Sequence, residues 1–353
     1  MSYSPQSPPD PDATDHLTHR IPKPACPSLH DGLFFTLTAA PFGAAIVETN
    51  LENQNTSTEL PMTTLTQSWR LLATAILLTL CGANANAANP IPESHRIGGF
   101  AVGLQAYTFN RFTVFEAIEK TAAAGGKVIE FYPGQPLRPD QRDVKWDHNA
   151  PSAVVQQVQD HLAKHGVRAV NYGVVGIPKD EAQARVIFEF AKRMGLYAVT
   201  TESADSIDTI EKMVKEFDIR VAFHNHPKRA NNPGYKMWDP NYVLSVVKDR
   251  DSRIGACADT GHWITSELDP VQAIRTLEGR IISSHLKDRN VVGEAGHHDV
   301  PFGAGVGKIK QVLDELKRQG FQGNISVEYE YNWDASVTDA AQCIGFFRGY
   351  AAH

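Results

Sequence analysis

The sequence predicts an α/β protein with the architecture of a (β/α)8 or TIM barrel, on three observations. Eight short apolar runs, rich in Val, Ile and aromatic residues, alternate with segments of helical periodicity. Together they span roughly 250 residues, the usual size of such a barrel. No glycine-rich phosphate-binding turn follows the first run, which disfavours the alternative, a doubly wound open sheet.

The predicted strands and helices follow one another in strict alternation. In chain order, the runs are 102–107, 128–132, 167–173, 197–202, 220–225, 254–259, 281–286 and 325–330. Between the first two, Phe115, Ile118 and Ala122 share one helical face. Asp239-Pro240 and Asp269-Pro270 each predict a helix start, an N-cap followed by proline at the first helical position.

Glycines indicate where predicted helices end. Gly166 and Gly195 stand where a helix should give way to a strand, and a stripe formed by residues 309, 312 and 316 ends before Gly320. Two longer connections, roughly 133–150 and 287–306, are rich in Pro, Gly and charge. Because loops carry much of the function of a barrel, we expect both to wall the active face.

The first 87 residues are predicted to lie outside this domain. Residues 1–61 show no sustained period, which indicates a disordered segment or an extension upstream of a true start at Met62. Residues 62–87 have the layout of a signal peptide: Arg70, an apolar stretch Leu71–Leu80, and the small residues Ala85 and Ala87. A tail with a membrane anchor is the alternative, but the apolar stretch is short for a span. We therefore expect an exported, periplasmic barrel domain at 88–353.

Composition limits the classes of partner that this domain is expected to bind. Removal of residues 1–87 takes away three of the 34 Lys and Arg and seven of the 40 Asp and Glu, leaving a net charge of −2. A nearly neutral chain has no broad basic surface for nucleic acid, and no stable membrane span is expected after cleavage. Only Cys257 and Cys343 remain, too few for a disulfide framework. A homo-oligomer stays possible.

Polar residues end most of the predicted strands. In a barrel of this kind, the carboxyl ends of the strands carry the catalytic groups. Converging carboxylates would repel one another, and a divalent cation removes that cost. His, Asp and Glu are ligands suited to Mn, Co, Zn or Fe. The residues at these ends are Glu130, Glu202, His224, His226, Asp259, His262, His285, Lys287, Asp288, Glu328 and Glu330.

Three motifs resemble those of the xylose isomerase-like barrels, a superfamily that includes sugar phosphate isomerases/epimerases and endonuclease IV. They are Asp259-Thr260-Gly261-His262, then Ser284-His285-Leu286-Lys287-Asp288, then Val327-Glu328. The glycine-containing stretch 300–305 is also similar to a loop of the family. This resemblance implies one divalent metal ion held by His224, Asp259, His285 and Glu328. The first position is more often Glu in the family, so Glu202 stays an alternative ligand.

The resemblance also implies roles around the metal. Glu202, Glu328, His226 and Lys287 are the predicted catalytic residues, with Lys287 stabilising a developing oxyanion or pairing with Asp288. The predicted substrate-binding residues are Glu130, His262, His298 and Trp263. Other aromatic residues expected near the mouth are Tyr107, Phe109, Tyr132, Trp238 and Trp333.

The implied function is that of an enzyme that removes a proton next to a carbonyl. We expect a metal-dependent sugar isomerase or epimerase, acting on an unphosphorylated sugar or keto-sugar because the chain is predicted to be exported. One alternative is a periplasmic 3-keto-glycoside lyase or hydratase working by β-elimination. Another is a non-catalytic sugar-binding barrel. The nuclease function is disfavoured, since the histidines expected on the second and third strands are missing.

Overall fold

Eight parallel strands close into a barrel in the computed structural model, which describes residues 90–352. Each strand pairs with the next along the chain, and the eighth pairs with the first. The strands are β1 Phe100–Gln105, β2 Val128–Phe131, β3 Arg168–Tyr172, β4 Ala198–Thr201, β5 Arg220–His224, β6 Ile254–Asp259, β7 Ile281–Leu286 and β8 Asn324–Val327. The predicted fold class is confirmed. The predicted signal peptide at 62–87 and residues 1–61 lie outside the described residues.

Nine helices of the described chain cover the barrel. They are α1 Val114–Ala123, α2 Ser152–His165, α3 Glu181–Met194, α4 Ile207–Phe217, α5 Pro240–Val247, α6 Thr260–Thr265, α7 Pro270–Thr276, α8 Ile309–Arg318 and α9 Val337–Ala351. Short 3-10 helices occupy Glu93–His95, Ala106–Phe109 and Ala204–Ser206. Within 90–352, none of the helices combines the length and the apolar character that a membrane crossing needs.

The helix boundaries follow from their capping residues. The carboxylates of Asp239 and Asp269 each accept a backbone hydrogen bond of 2.9 Å at the start of α5 and α7, as predicted. Gly166 and Gly195 end α2 and α3 with φ values of 63° and 65°. Glycine adopts this left-handed conformation without the steric cost that other residues incur.

The hydrophobic core lies between the strands and the helices. The predicted stripe of α8 is buried there, with Ile309 3 % exposed and Val312 and Leu316 fully covered. Close strand contact also depends on Gly103 in β1, where a Cβ would lie 1.6 Å from the carbonyl oxygen of Val128. The apolar packing holds the strands rigidly, and it thereby fixes the positions of the groups at their carboxyl ends.

The two long connections carry short antiparallel ladders instead of being wholly irregular. Gln135–Arg138 pairs with Gln141–Trp146 after β2, and Asp288–Arg289 pairs with Asp299–Val300 after β7. Trp146 is fully buried against Phe131 and Phe190, with ring centroids 5.7 and 5.3 Å away. The first ladder is therefore packed onto the barrel.

Some predicted strands extend too far toward the carboxyl end. The eighth was predicted at 325–330 and is Asn324–Val327, and the first was predicted at 102–107 and is Phe100–Gln105. Glu328 and Glu330 thus follow β8. The reason is that the chain leaves the ladder at the mouth, where polar side chains continue the strand-like pattern of the sequence without strand pairing.

Candidate metal centre

Four buried side chains meet where β5 to β8 end. His224 and Asp259 are the last residues of β5 and β6, His285 is the penultimate residue of β7, and Glu328 directly follows β8. Each residue offers one ligand atom, and the four atoms lie within 4.8 Å of one another. The parallel register explains the convergence, because Asp259 and His285 are direct partners across β6 and β7. The predicted ligand set is thus brought together.

The distances within this cluster are short, and the intervening space is enclosed. His224 Nε2 lies 3.5 Å from Asp259 Oδ2, which in turn lies 3.9 Å from His285 Nδ1. His285 Nδ1 is 3.2 Å from Glu328 Oε2. Glu328 is the most exposed of the four residues, at 7 %.

The donor atoms fit a divalent metal ion. His224 Nε2, Asp259 Oδ2 and His285 Nδ1 are buried atoms that lack a hydrogen-bond partner in the described protein. Such unsatisfied polar atoms are costly to bury, and a bound cation would satisfy all three. Two imidazoles and two carboxylates suit Mn, Co, Zn or Fe without selecting among them.

The charged groups around the cluster also indicate a site for a cation. Among the described residues, Lys287 is the one Lys or Arg within ion-pair distance of Asp259 and Glu328, with Nζ 3.1 Å from Asp259 Oδ2 and 2.7 Å from Glu328 Oε2. Burial alone would lower the pKa of Lys287, but Asp259, Glu328 and Glu330 outweigh it and hold the pKa well above its ordinary value. The centre therefore favours positive charge.

Glu202 supports the ligand His224 from behind. Its Oε1 lies 3.0 Å from His224 Nδ1, the ring nitrogen opposite the one that faces Asp259. The same oxygen contacts His226 Nδ1 and accepts a 3.1 Å hydrogen bond from Tyr235. Of the two alternatives for the ligand before Asp259, this geometry favours His224. Burial would raise the pKa of Glu202, but contacts with His224 and His226 prevail and lower it.

Glu130 lies beside His285 at ion-pair distance, without the geometry of a hydrogen bond. Its Oε2 lies 3.0 Å from His285 Nε2 and accepts a 2.8 Å hydrogen bond from Ser326, while Oε1 accepts one of 3.0 Å from Thr200. Glu130 is fully buried inside the barrel. The prediction that it binds substrate is therefore corrected, because its side chain is buried below the barrel mouth and does not line the cavity.

A cavity of about 390 Å³ opens directly above the cluster. Its lining joins two of the cluster residues to the last residue of β1 and to residues of the segments that follow the strands. His226 and His262 stack beside it, with ring centroids 5.2 Å apart. The lining residues are Gln105, Tyr107, Tyr132, Pro133, Gly173, Val174, His224, His226, His262, Glu328 and Glu330. Of the predicted site residues, His224, His226, His262 and Glu328 thus face the space that a small molecule would fill.

Several predicted site residues lie outside this lining. Trp263 is 1 % exposed and belongs to the core, because helical geometry turns it away from its neighbour His262. His298 packs on Tyr331, with ring centroids 4.6 Å apart. The burial of Trp263 corrects its substrate-binding prediction, whereas the one for His298 stays a prediction. Lys287, 1 % exposed, and Glu202 do not line the cavity but contact residues that do.

Asp288 holds the glycine-containing loop and does not pair with Lys287. Its carboxylate accepts backbone hydrogen bonds from Gly303, Gly305 and Gly307 at 2.9, 3.1 and 2.7 Å. Burial raises the pKa of Asp288, although these bonds work in the opposite direction. The loop 300–305, singled out in the sequence, is thereby tied to the residue that follows Lys287.

Sequence reasoning assigned no role to three polar residues of the site. Gln105 ends β1, lines the cavity and donates to the Gly173 carbonyl oxygen at 2.9 Å. Glu330 lines the cavity 3.4 Å from Lys287 Nζ. Both could have been found from the sequence, because each lies at or near the end of a predicted strand. Tyr235 could not, since it reaches Glu202 from an irregular loop.

Comparison with known proteins identifies the family. The family model described as xylose isomerase-like TIM barrel matches residues 118–349. A solved structure of an uncharacterised protein from Parabacteroides distasonis is 28% identical, with a TM-score of 0.57 over 71% of this chain and 99% of its own. The search of curated proteins gave no match.

Structures of an epimerase-like protein and of a sugar epimerase show the same fold at lower identity. A D-tagatose 3-epimerase-like protein is 18% identical, with a TM-score of 0.54 over 70% of this chain and 96% of its own. D-psicose 3-epimerase from Clostridium cellulolyticum H10, solved with D-tagatose, is 12% identical, with a TM-score of 0.53 over 71% and 98%. The extent of the family match, together with the barrel and its motifs, shows that the chain belongs to the xylose isomerase-like TIM barrel family.

Proposed function

We propose that the protein is a metal-dependent isomerase or epimerase for an unphosphorylated sugar or keto-sugar. The observation that carries this proposal is the meeting of four ligand atoms within 4.8 Å, directly below a polar cavity. Its volume of about 390 Å³ falls within the range of small-molecule sites. The epimerase structures that share the fold support the same class of reaction.

The chain's own groups suit proton transfer next to a carbonyl. A divalent ion held by the four residues would polarise the substrate carbonyl and a neighbouring hydroxyl, and so acidify the adjacent C–H. His226 is the proposed base, because Glu202 occupies its Nδ1 and leaves Nε2 for the substrate. Glu328 and Glu330 line the cavity as further proton-transfer groups. Lys287 contacts both carboxylates and stabilises negative charge there.

The cavity lining supports an unphosphorylated substrate. Within the described chain it includes the carboxylates Glu328 and Glu330 and has no lysine or arginine. Negative side chains of this kind repel a phosphate group. Tyr107 and Tyr132 pack edge to face at 5.2 Å and present ring surface to the cavity. Such surfaces pack against the apolar face of a sugar ring.

A 3-keto-glycoside lyase is a second candidate. In that reaction one group removes the C2 proton and another protonates the group that leaves C1. The observation that favours it is the unlike pair at the cavity, with the imidazole of His226 and the carboxylate of Glu330. Epimerisation by two carboxylates, one removing the proton and the other returning it, would instead need a glutamate at the position of His224.

The test is turnover in D₂O with a panel of free and 3-keto sugars, followed by NMR in the presence of Mn²⁺, Co²⁺ or Zn²⁺. We expect deuterium at the carbon next to the carbonyl, and loss of most activity on chelation or with Glu328→Gln. Glu216→Gln, on the outer helical layer, is the matched control. The label position distinguishes isomerase, epimerase and lyase.

Two results would contradict the proposal. Full turnover after exhaustive chelation would exclude the metal-dependent reaction. Tight sugar binding without any deuterium incorporation would instead indicate a non-catalytic sugar-binding barrel.

We also propose that the protein acts in the periplasm. The support is the signal-like layout of residues 62–87. Fractionation of producing cells, with N-terminal sequencing of the purified protein, is expected to give a periplasmic chain that starts near residue 88. An uncleaved chain in the cytoplasm would contradict this.

A further inference from the structure

A second group of metal-ligand side chains lies on the helical layer, apart from the strand ends. His161 and His165 belong to α2, and Glu119 belongs to the neighbouring helix α1. One ligand atom from each residue lies within 4.8 Å of the other two. We propose that these three residues bind a Zn²⁺-type transition-metal ion.

The helix geometry presents both imidazoles on one face. His161 and His165 are four residues apart, a spacing that places side chains one turn apart on the same side. Their ring centroids are 4.5 Å apart with the planes at 51°, so the rings are not stacked. Glu119 Oε1 lies 3.2 Å from His161 Nε2.

One ring nitrogen of each histidine in this group lacks a hydrogen-bond partner. Nε2 of His161 and Nε2 of His165 are both buried atoms without a hydrogen bond in the described protein. The 3.2 Å contact with Glu119 therefore lacks the geometry of a hydrogen bond, although its length would allow one. The two unsatisfied nitrogens and one carboxylate oxygen would supply three of the four ligands of a tetrahedral zinc site.

The surroundings of this group leave room for water. The carboxylate side chain of Glu119 is 51 % exposed. A cavity of about 500 Å³ adjoins it, lined in part by His161, Arg138 and Lys164, and this space gives a water ligand access.

Bound metal at this position would join α1 to α2 on the outer wall of the barrel. It would stabilise the folded state, since the unfolded chain does not hold the three ligands together. The inference is independent of the proposed function, because none of its residues contacts the barrel centre or the cavity above it.

The test counts bound Zn²⁺ on the purified protein by equilibrium dialysis and elemental analysis. We expect two equivalents for the parent protein, and one for His161→Gln/His165→Gln, with any remaining affinity for the second Zn²⁺ at least tenfold weaker. Lys164→Gln, between the two histidines, should keep two. A variant with a disabled barrel centre, Asp259→Asn/Glu328→Gln, should retain one Zn²⁺, which raises its melting temperature.

The outcomes distinguish the two sites. If His161→Gln/His165→Gln binds as many Zn²⁺ ions as the parent, the inference is wrong. If that variant loses one ion while the barrel-centre variant loses none, this site stands and the barrel metal of the proposed function fails. Far-UV circular dichroism of metal-free samples establishes that each variant is folded.

Discussion

At the scale of single residues, the main feature is a carboxylate behind each imidazole of the barrel centre. Glu202 contacts Nδ1 of His224, and Glu130 lies 3.0 Å from Nε2 of His285. In each case the other ring nitrogen faces the cluster. Such a partner fixes the orientation and tautomer of a metal-binding histidine and increases its basicity. Glu202 and Glu130 are therefore interpreted as positioning residues.

Replacement of Glu130 with Gln tests this role. The amide keeps the size of the side chain but loses the charge opposite His285 Nε2. We expect affinity for the barrel metal to fall roughly 10- to 100-fold, the usual cost of losing such a partner. Metal titration against a competing chelator measures the change.

Glu315→Gln is the matched control for that variant. Glu315 is also a buried glutamate, 4 % exposed, but it pairs with Arg275 and Arg318 on the helical layer. We expect its replacement to lower stability with metal affinity unchanged. Equal metal affinity in Glu130→Gln and the parent would show that Glu130 serves the fold alone.

Residue types could be predicted from the sequence better than their depth in the barrel. The four clustered residues were among the polar groups near strand ends, and the resemblance to the family selected them from that set. Glu130 looked equivalent but lies below the mouth, where Ser326 and Thr200 bond it. Depth depends on the stagger between neighbouring strands, which the sequence of one strand does not show.

At the scale of elements, the passage from β6 into α6 builds one side of the site. Asp259 ends the strand and also caps the helix, accepting a 2.8 Å hydrogen bond from the His262 backbone. The Thr260 hydroxyl donates to the Lys287 carbonyl and accepts from the Lys287 N–H, both at 3.0 Å. This segment therefore places a ligand, a cavity residue and the start of the β7 loop together.

Gly261→Ala tests the packing of that passage. A Cβ at position 261 would lie 2.6 Å from Lys287 Cβ and 2.8 Å from its Cδ, so the lysine side chain must move. We expect lower turnover, because Lys287 contacts Asp259 and Glu328. Stability should also fall by about 1 kcal/mol or more, the usual cost of overpacking. Urea unfolding and steady-state kinetics measure both.

Gly345→Ala provides the comparison, since Gly345 lies within α9 and a Cβ there meets no atom within 4 Å. Alanine favours a helix interior by roughly 0.5–1 kcal/mol over glycine, so this variant should be slightly more stable with unchanged turnover. If Gly261→Ala behaved like Gly345→Ala, the close approach of Lys287 would have no functional importance.

At the scale of the whole molecule, alternation of strand and helix patterns was sufficient to predict the barrel. The parallel register then brings together groups at the ends of β5 to β8, the first and last of which are more than 100 residues apart in the chain. The contributions of Tyr235 and of the Asp288–Gly307 contact could not be predicted in this way. They arise from loops whose paths depend on tertiary packing.

The opposite end of the barrel offers a test of overall stability. Asp251, between α5 and β6, accepts hydrogen bonds from Arg253 Nε and Nη2 at 2.9 and 2.8 Å. Arg253 lowers the pKa of Asp251 to about 2 from 3.8. A carboxylate with a lowered pKa in the folded state stabilises the protein above the unfolded value, and this stabilisation is lost as pH falls through the folded value. The contribution should therefore be complete at pH 6 and decline between about pH 4 and pH 2.

Asp251→Asn removes this contribution. We expect the variant to unfold at a lower urea concentration at pH 6. Its free energy of unfolding should be lower by about 1 kcal/mol, the upper range for a partly exposed ion pair. The difference from the parent should shrink at pH 4 and further at pH 3, because the carboxyl group then becomes protonated in the unfolded parent while it stays largely charged in the folded parent. Asp160→Asn, whose parent carboxylate accepts from Gln156, controls for the substitution itself. A difference that stays constant from pH 6 to pH 3 would show that the ion pair with Arg253 is not its cause.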